Sequence, residues 1–203
     1  MAELGLFPLG LVLLPTERLP LHIFEERYKE LVEECLEQGL EFGLVYADTD
    51  GMRDVGTRAR IAEVLTRFED GRLNILVEGG ERFHVDELTD GRAFHTAQVS
   101  PVADTDDVAD AAAIDDAMRI FGVLREVTAS DVDPPDPASP QLSFALAGKV
   151  ELTPGEKLML LRELSERRRI ELVQELLEHA VLAARRMRKA AERATTNGRV
   201  DLG

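Results

Sequence analysis

The 203-residue chain has no tryptophan, a single cysteine and only 5% aromatic residues. The lone Cys35 excludes an internal disulfide, and its place among apolar residues at helical spacing marks it as a small core hydrophobe rather than a reactive thiol. No stretch approaches the roughly 18 uncharged apolar residues of a membrane helix. Glu3 and Pro8 in the first short apolar run are unlike a basic, cleavable signal peptide. No membrane partner is therefore expected, and the expected location is cytoplasmic.

Reaction signatures are equally scarce. The Gly148-Lys149 pair is followed by Val150, and Ser143 stands where a phosphate-binding loop would place its first glycine. No G-x-S-x-G elbow, H-E-x-x-H zinc helix or C-x-x-C pair occurs. The four histidines are scattered. Pairing residues 81–88 with 93–100 so that Phe83 and Val85 share a face with Ala97 and Val99 puts His84 opposite His95, which argues against a two-histidine metal site. No catalytic residue, cofactor or metal is expected.

Positive charge is also in short supply, with 24 Lys and Arg against 39 Asp and Glu and a net charge of -15. The imbalance is concentrated in the first 155 residues, which hold 13 bases against 31 acids, whereas residues 156–203 hold 11 against 8. A surface that acidic repels phosphate backbones and disfavours nucleic acid. The basic run "RRMRKAAER" (185–193) reads as the solvated face and favourable C-terminal dipole end of a helix.

Among the patterns that are present, alternation comes first. In "RLNILVE" Leu73, Ile75 and Val77 alternate with polar residues, and Asp70-Gly71 turns this strand back on the one carrying Ala62, Val64, Thr66 and Phe68. Gly79-Gly80 bends the chain and Asp90-Gly91 turns it into "AFHTAQV". The spacing predicts a meander of antiparallel strands closing toward a small barrel. One helix interrupts it, with Phe24, Tyr28, Leu31, Val32, Cys35 and Leu36 on its apolar stripe and Gly39 as its stop.

After Pro101 the character changes. Residues 104–136 contain 10 acids, yet Ile114, Met118, Phe121 and Leu124 keep a helical stripe. "DVDPPDPASP" is a break that ends in Ser139-Pro140, read as an N-cap and first helical position. Thr153 to Glu156 forms a capping box. Ser165 then caps a long helix with Ile170, Val173, Leu177, Val181 and Ala184 along one side, and the tail beyond Ala194 is expected to fray.

Three segments carry a family resemblance: P-L-x-I-F-E-x-R-Y (Pro20 to Tyr28), V-G-T (Val55 to Thr57) and L-V-E-G-x-x-R (Leu76 to Arg82). In that order and spacing they resemble the N-terminal, substrate-binding domain of the Lon protease, also found as a free-standing bacterial protein. "TPGEKLMLLRELSERRRIELVQELLE" resembles its helical second half. The resemblance implies an α+β fold: a PUA-like antiparallel β pseudo-barrel with one inserted helix, followed by a C-terminal helical bundle. The expected organisation is a PUA-like β-rich subdomain over 1–103, an acidic amphipathic helix and proline-rich break over 104–137, and a helical subdomain over 138–203.

The resemblance also implies protein recognition without the ATPase and Ser-Lys peptidase modules of full Lon proteases. The expected role is a non-catalytic module that binds unfolded or specific client polypeptides, as adaptor or regulator of proteolysis, with a separate protease or chaperone as a further partner. The alternative is an RNA-binding PUA-like protein, against which the acidic first 155 residues speak. Within "LLPTERLPLHIFEERY", Pro15 and Pro20 hold a segment whose Leu13, Leu14 and Leu19 either plug the barrel end or line an apolar groove for a client. Leu14 is the one expected to be exposed. Glu25 and Arg27 are expected to form a local ion pair beside that groove or to contact a client peptide.

Overall fold

The computed structural model describes residues 2–197. In chain order its elements are β1 (Ala2–Leu9), β2 (Arg18–Ile23), α1 (Glu26–Gln38), β3 (Phe42–Asp48), β4 (Gly51–Arg67), β5 (Leu73–Thr89), β6 (His95–Pro101), α2 (Ala111–Thr128), α3 (Leu142–Ala147), α4 (Pro154–Arg162) and α5 (Glu166–Asn197).

The six strands form one curled sheet in the order β2-β5-β4-β3-β1-β6, and β6 also pairs with β5. Closure depends on the length of β5, because its first half, Leu73 to Glu78, pairs with β2 while Phe83 to Thr89 pairs with β6. The result is a pseudo-barrel with β2 as a flap, not a regular barrel. The fold is thus mixed α+β, as expected. The strictly antiparallel meander is corrected, because β1 and β3 run parallel from Leu6↔Gly43 to Leu9↔Tyr46. A parallel pair needs a long crossover, and β2 with α1 supplies it.

Alternation along β5 sets the barrel core. Leu73, Ile75 and Val77 are fully buried, while Asn74 and Glu78 bond outward to His22 and Arg18. Helix α1 lays Tyr28, Leu31, Val32 and Cys35 onto the same core. It starts at Glu26, not at Phe24. The ladder pairing Ile23↔Leu73 keeps the chain extended, Glu25 is still extended at ψ 134°, and Phe24 is left outside the helix, 59% exposed. Gly39, at φ 66°, ends the helix with its N–H donating to the Cys35 carbonyl.

A second core lies among the helices. From α2, Ala117, Ile120, Phe121 and Leu124 meet Ile170, Val173, Leu177 and Val181 of α5. The Asp110 side chain caps α2 by accepting from the Ala113 N–H at 2.8 Å. The Thr153–Glu156 capping box is complete, and Ser165 Oγ accepts from the Arg168 N–H at 3.0 Å at the start of α5. The Ser139-Pro140 helix start is corrected: α3 begins at Leu142 behind an uncapped Gln141, because Ser139 Oγ accepts from the Gln141 N–H instead. Helix α5 continues to Asn197, and the rest of the tail expected to fray, 198–203, lies outside the described residues.

Candidate recognition site

The loop between β1 and β2 is where the two cores meet. Leu13 is 1% exposed and belongs to the barrel core. Leu14, fully buried, points the other way into the helical core beside Val12 and Val55. One loop therefore wedges into both. The expectation of an exposed Leu14 lining a groove is corrected, because adjacent residues of an extended chain project to opposite sides and here both sides are protein interior. Leu19 is half-buried against the barrel core, opposite Val77.

Polar contacts lock the wedge. Thr57 Oγ1 donates to the Leu13 carbonyl at 2.7 Å, the Thr16 N–H donates to the Gly79 carbonyl at 2.8 Å, and the Gly79 N–H donates to the Glu17 carbonyl at 2.9 Å. Glu17 is almost buried; it accepts from the Leu14 N–H and from Lys157 of α4. A Cβ on Gly79 would stand 2.0 Å from the Leu14 carbonyl oxygen, so only glycine fits. Thr16 is held at φ 67°, a left-handed conformation that a non-glycine residue keeps only when its surroundings impose it. Two of the segments that carry the resemblance thus converge on this loop, since Thr57 of V-G-T and Gly79 of L-V-E-G-x-x-R both hold it in place.

Arg82, at the end of L-V-E-G-x-x-R, reaches the junction from the sheet side. It is 4% exposed and donates to the carbonyls of Leu161 and Glu163, each at 2.8 Å, and to Asp104. Arg169, fully buried, also bonds Asp104 and meets Glu166 at 2.6 Å, while Ser143 bridges Glu166 and Arg169. Phe144 lies against both guanidinium groups, at 5.4 and 4.4 Å from its ring centroid. Burial opposes the charge on Arg169, but the bonds to Asp104 and Glu166 outweigh it and raise its pKa; at Arg82 burial prevails over the attraction of Asp104 and the pKa falls. The network joins β5, the segment after β6, α3, the end of α4 and α5. Sequence reasoning missed it, although an arginine directly before Phe83 in a buried strand was a signal.

The exposed part of the P-L-x-I-F-E-x-R-Y segment lies one step further along the chain. Leu21, Ile23 and Tyr28 point into the barrel core, whereas Phe24 stands in solvent. Its ring stacks on His22 at 5.9 Å and 21°, and His22 meets the edge of Phe68 at 6.1 Å. Phe68 sits in the β4–β5 turn, closed by its N–H donating to the Arg72 carbonyl at 2.9 Å, with the Arg72 guanidinium 5.1 Å from its ring. His22 is oriented by Asn74, Nδ1 to Oδ1 at 2.6 Å. Glu25 and Arg27 form the local ion pair at 2.9 Å, and Arg27 lies 4.5 Å over the Tyr28 ring. His22, Phe24 and Phe68 make an aromatic platform at the end of β2, with Arg72 against Phe68. Sequence reasoning placed Phe24 on the helix stripe and missed the platform.

His84 approaches Asp54 and Asp86, not His95. Among the described residues no group of three or more His, Cys, Asp or Glu is placed to hold a metal ion, and no helix is long and apolar enough to cross a membrane.

The architecture is a pseudo-barrel wedged onto a helical layer, with an open aromatic surface at the end of its edge strand. The chain belongs to the family of the substrate-binding domain of ATP-dependent protease La (LON), which matches residues 3–179. It is similar to the crystal structure of a Lon N-terminal domain protein from Xanthomonas campestris, with 29% identity and a TM-score of 0.65 over 84% of this chain and 96% of that one. The N-terminal domain of the Mycobacterium avium complex Lon protease shares the fold at 16% identity, with a TM-score of 0.65 over 87% of this chain and 98% of that one.

Proposed function

We propose that the chain is a non-catalytic module that binds unfolded polypeptide clients, in the manner of an adaptor for proteolysis, and that the aromatic platform is where clients land. The observation that carries this reading is Phe24: a large aromatic side chain, 59% exposed, in a chain that has only eight phenylalanines. Aromatic side chains held by stacking neighbours give large contact area at small entropic cost. Full strand addition to β2 is disfavoured, since Pro20 removes an N–H and Arg18 puts a charge on that edge, both devices that blunt an open strand. Side-chain contact at the end of β2 is the mode left, and it tolerates varied client sequence. Glu25 and Arg27 lie beside Phe24 in the chain, whereas Leu13 and Leu14 serve the fold. The acidic surface of the first 155 residues supports protein over RNA as the ligand.

The test is fluorescence anisotropy with labelled, reduced and carboxymethylated α-lactalbumin, a permanently unfolded protein. Saturable binding, competed by other unfolded polypeptides but not by single-stranded RNA, and weakened by Phe24→Ser, is expected. Equal binding by native α-lactalbumin, or full binding by Phe24→Ser, contradicts the reading.

A further inference from the structure

In the helical part of the molecule, a cleft of about 450 Å³ opens between the C-terminal end of α2, the segment after α3 and the second half of α5. Phe121, Leu124 and Ala184 line its floor, and Val132 and Met187, which are 40% and 74% exposed, stand at its walls. Its charged lining is Arg125, Lys149 and Glu151.

The two cations stand out between residues 18 and 169. From residue 18 to residue 169, every other lysine and arginine has a carboxylate oxygen within 4.0 Å. Arg125 and Lys149 have none among the described residues, although acids outnumber bases 39 to 24 and both residues line the same cleft. Arg125 Nε is, in addition, a buried donor with no hydrogen-bond partner among the described residues. A desolvated, unsatisfied guanidinium donor is costly, and a ligand oxygen would relieve it. Immediately beyond the cleft, α5 carries Arg185, Arg186 and Lys189, all exposed, which add positive charge beside it in a chain that is acidic as a whole.

We propose that this cleft is a second docking site, for a polypeptide segment that presents an apolar side chain beside a carboxylate. The apolar side chain fills the floor over Phe121 and Leu124, and the carboxylate accepts from Arg125 with Lys149 at the rim. Charge selects the occupant: a basic or neutral apolar segment leaves Arg125 unsatisfied, and a second copy of this acidic chain is repelled by like charge over most of its surface. The site is independent of the aromatic platform.

Three fluorescein-labelled peptides test it, identical in their Leu and Phe positions but carrying Asp, Asn or Lys between them. The Asp peptide should bind saturably and lose affinity with rising salt. The Asn peptide should bind at least roughly tenfold more weakly, as expected when a partly desolvated charge pair is removed. Lys149→Glu, an exposed change, should weaken the Asp peptide by a similar factor and improve the Lys peptide; Arg125→Gln should weaken it as well, with the circular dichroism melt confirming that each variant is folded. In the Phe24→Ser background the preference for the Asp over the Asn peptide should persist, because that preference belongs to the cleft and not to the platform. Equal affinity for the three peptides, or no binding of the Asp peptide, overturns the proposal. So does concentration-dependent self-association that Met187→Glu abolishes, because the occupant would then be a second copy.

Discussion

Residues 12–17 and 22–28 are separated by only a few positions of one edge strand, yet they meet opposite environments. Apart from the exposed Thr16, the first segment is interior on both sides: Val12, Leu13 and Leu14 are at most 4% exposed, and Glu17 is held by Lys157 and a backbone N–H. The second alternates, with Ile23 and Tyr28 buried and His22, Phe24 and Arg27 in solvent. Apolar residues occur in both, so hydrophobicity alone does not separate fold from function here. What separates them is how many layers of protein cover the chain: the loop lies between two cores, and the strand end lies over one. A leucine between cores is a structural element, while a phenylalanine at a strand end with one core beneath it stays exposed.

The strongest way to break this comparison is to part the two cores at their ionic joint. Arg169→Ala leaves the buried Glu166 carboxylate with Ser143 but no cation, and Asp104 with Arg82 alone, and its expected cost is about 3–5 kcal/mol, read as a lowered midpoint in urea. A loss below about 1 kcal/mol would mean that the joint does not couple the layers. Gly79→Ala attacks the wedge itself. The added methyl collides with the Leu14 carbonyl, and a cost of about 1–3 kcal/mol is expected from such overpacking, with the melt as the check.

Much of this was legible in the sequence and some was not. The alternation of Leu73, Ile75 and Val77, the Thr153–Glu156 capping box and the α5 stripe are local patterns, and they appear as read. The parallel β1–β3 pair was not legible, because alternation fixes which face is buried but not which strand lies alongside. The burial of Leu14 depends on helices more than a hundred residues away, so no local pattern around Pro15 could report it. Phe24 was misplaced because helical spacing from Tyr28 fits it, while the ladder to Leu73 keeps the preceding residue extended. Arg82 and Arg169 find their partners only in three dimensions.

Two smaller effects sharpen the contrast. Cys35 lies on the α1 face that packs on the barrel, and burial pushes its thiol up to about 11. The folded state keeps the proton at neutral pH, whereas the unfolded thiol ionises near about 8.5. The associated stability is complete below that value and is lost as the pH rises toward 11. Iodoacetamide at pH 8 should therefore label the native protein far more slowly than the urea-unfolded one; equal rates would place Cys35 outside the core. On the exposed side, Arg27→Ala removes one solvent-accessible pair with Glu25, and the expected change is about 0.2–1 kcal/mol, checked by the same urea titration.

The most direct test sets Leu14→Ala beside Phe24→Ser, each measured for thermal stability and for affinity toward unfolded α-lactalbumin at a temperature where both are folded. Leu14→Ala should lose about 2–5 kcal/mol of stability, as for a fully buried leucine, and keep its affinity. Phe24→Ser should stay within about 0.5 kcal/mol of wild type, as an exposed substitution does, and lose affinity. The reverse pattern, with Leu14→Ala stable but unable to bind and Phe24→Ser destabilised but binding at full strength, would contradict the division of this short stretch into a wedge and a platform.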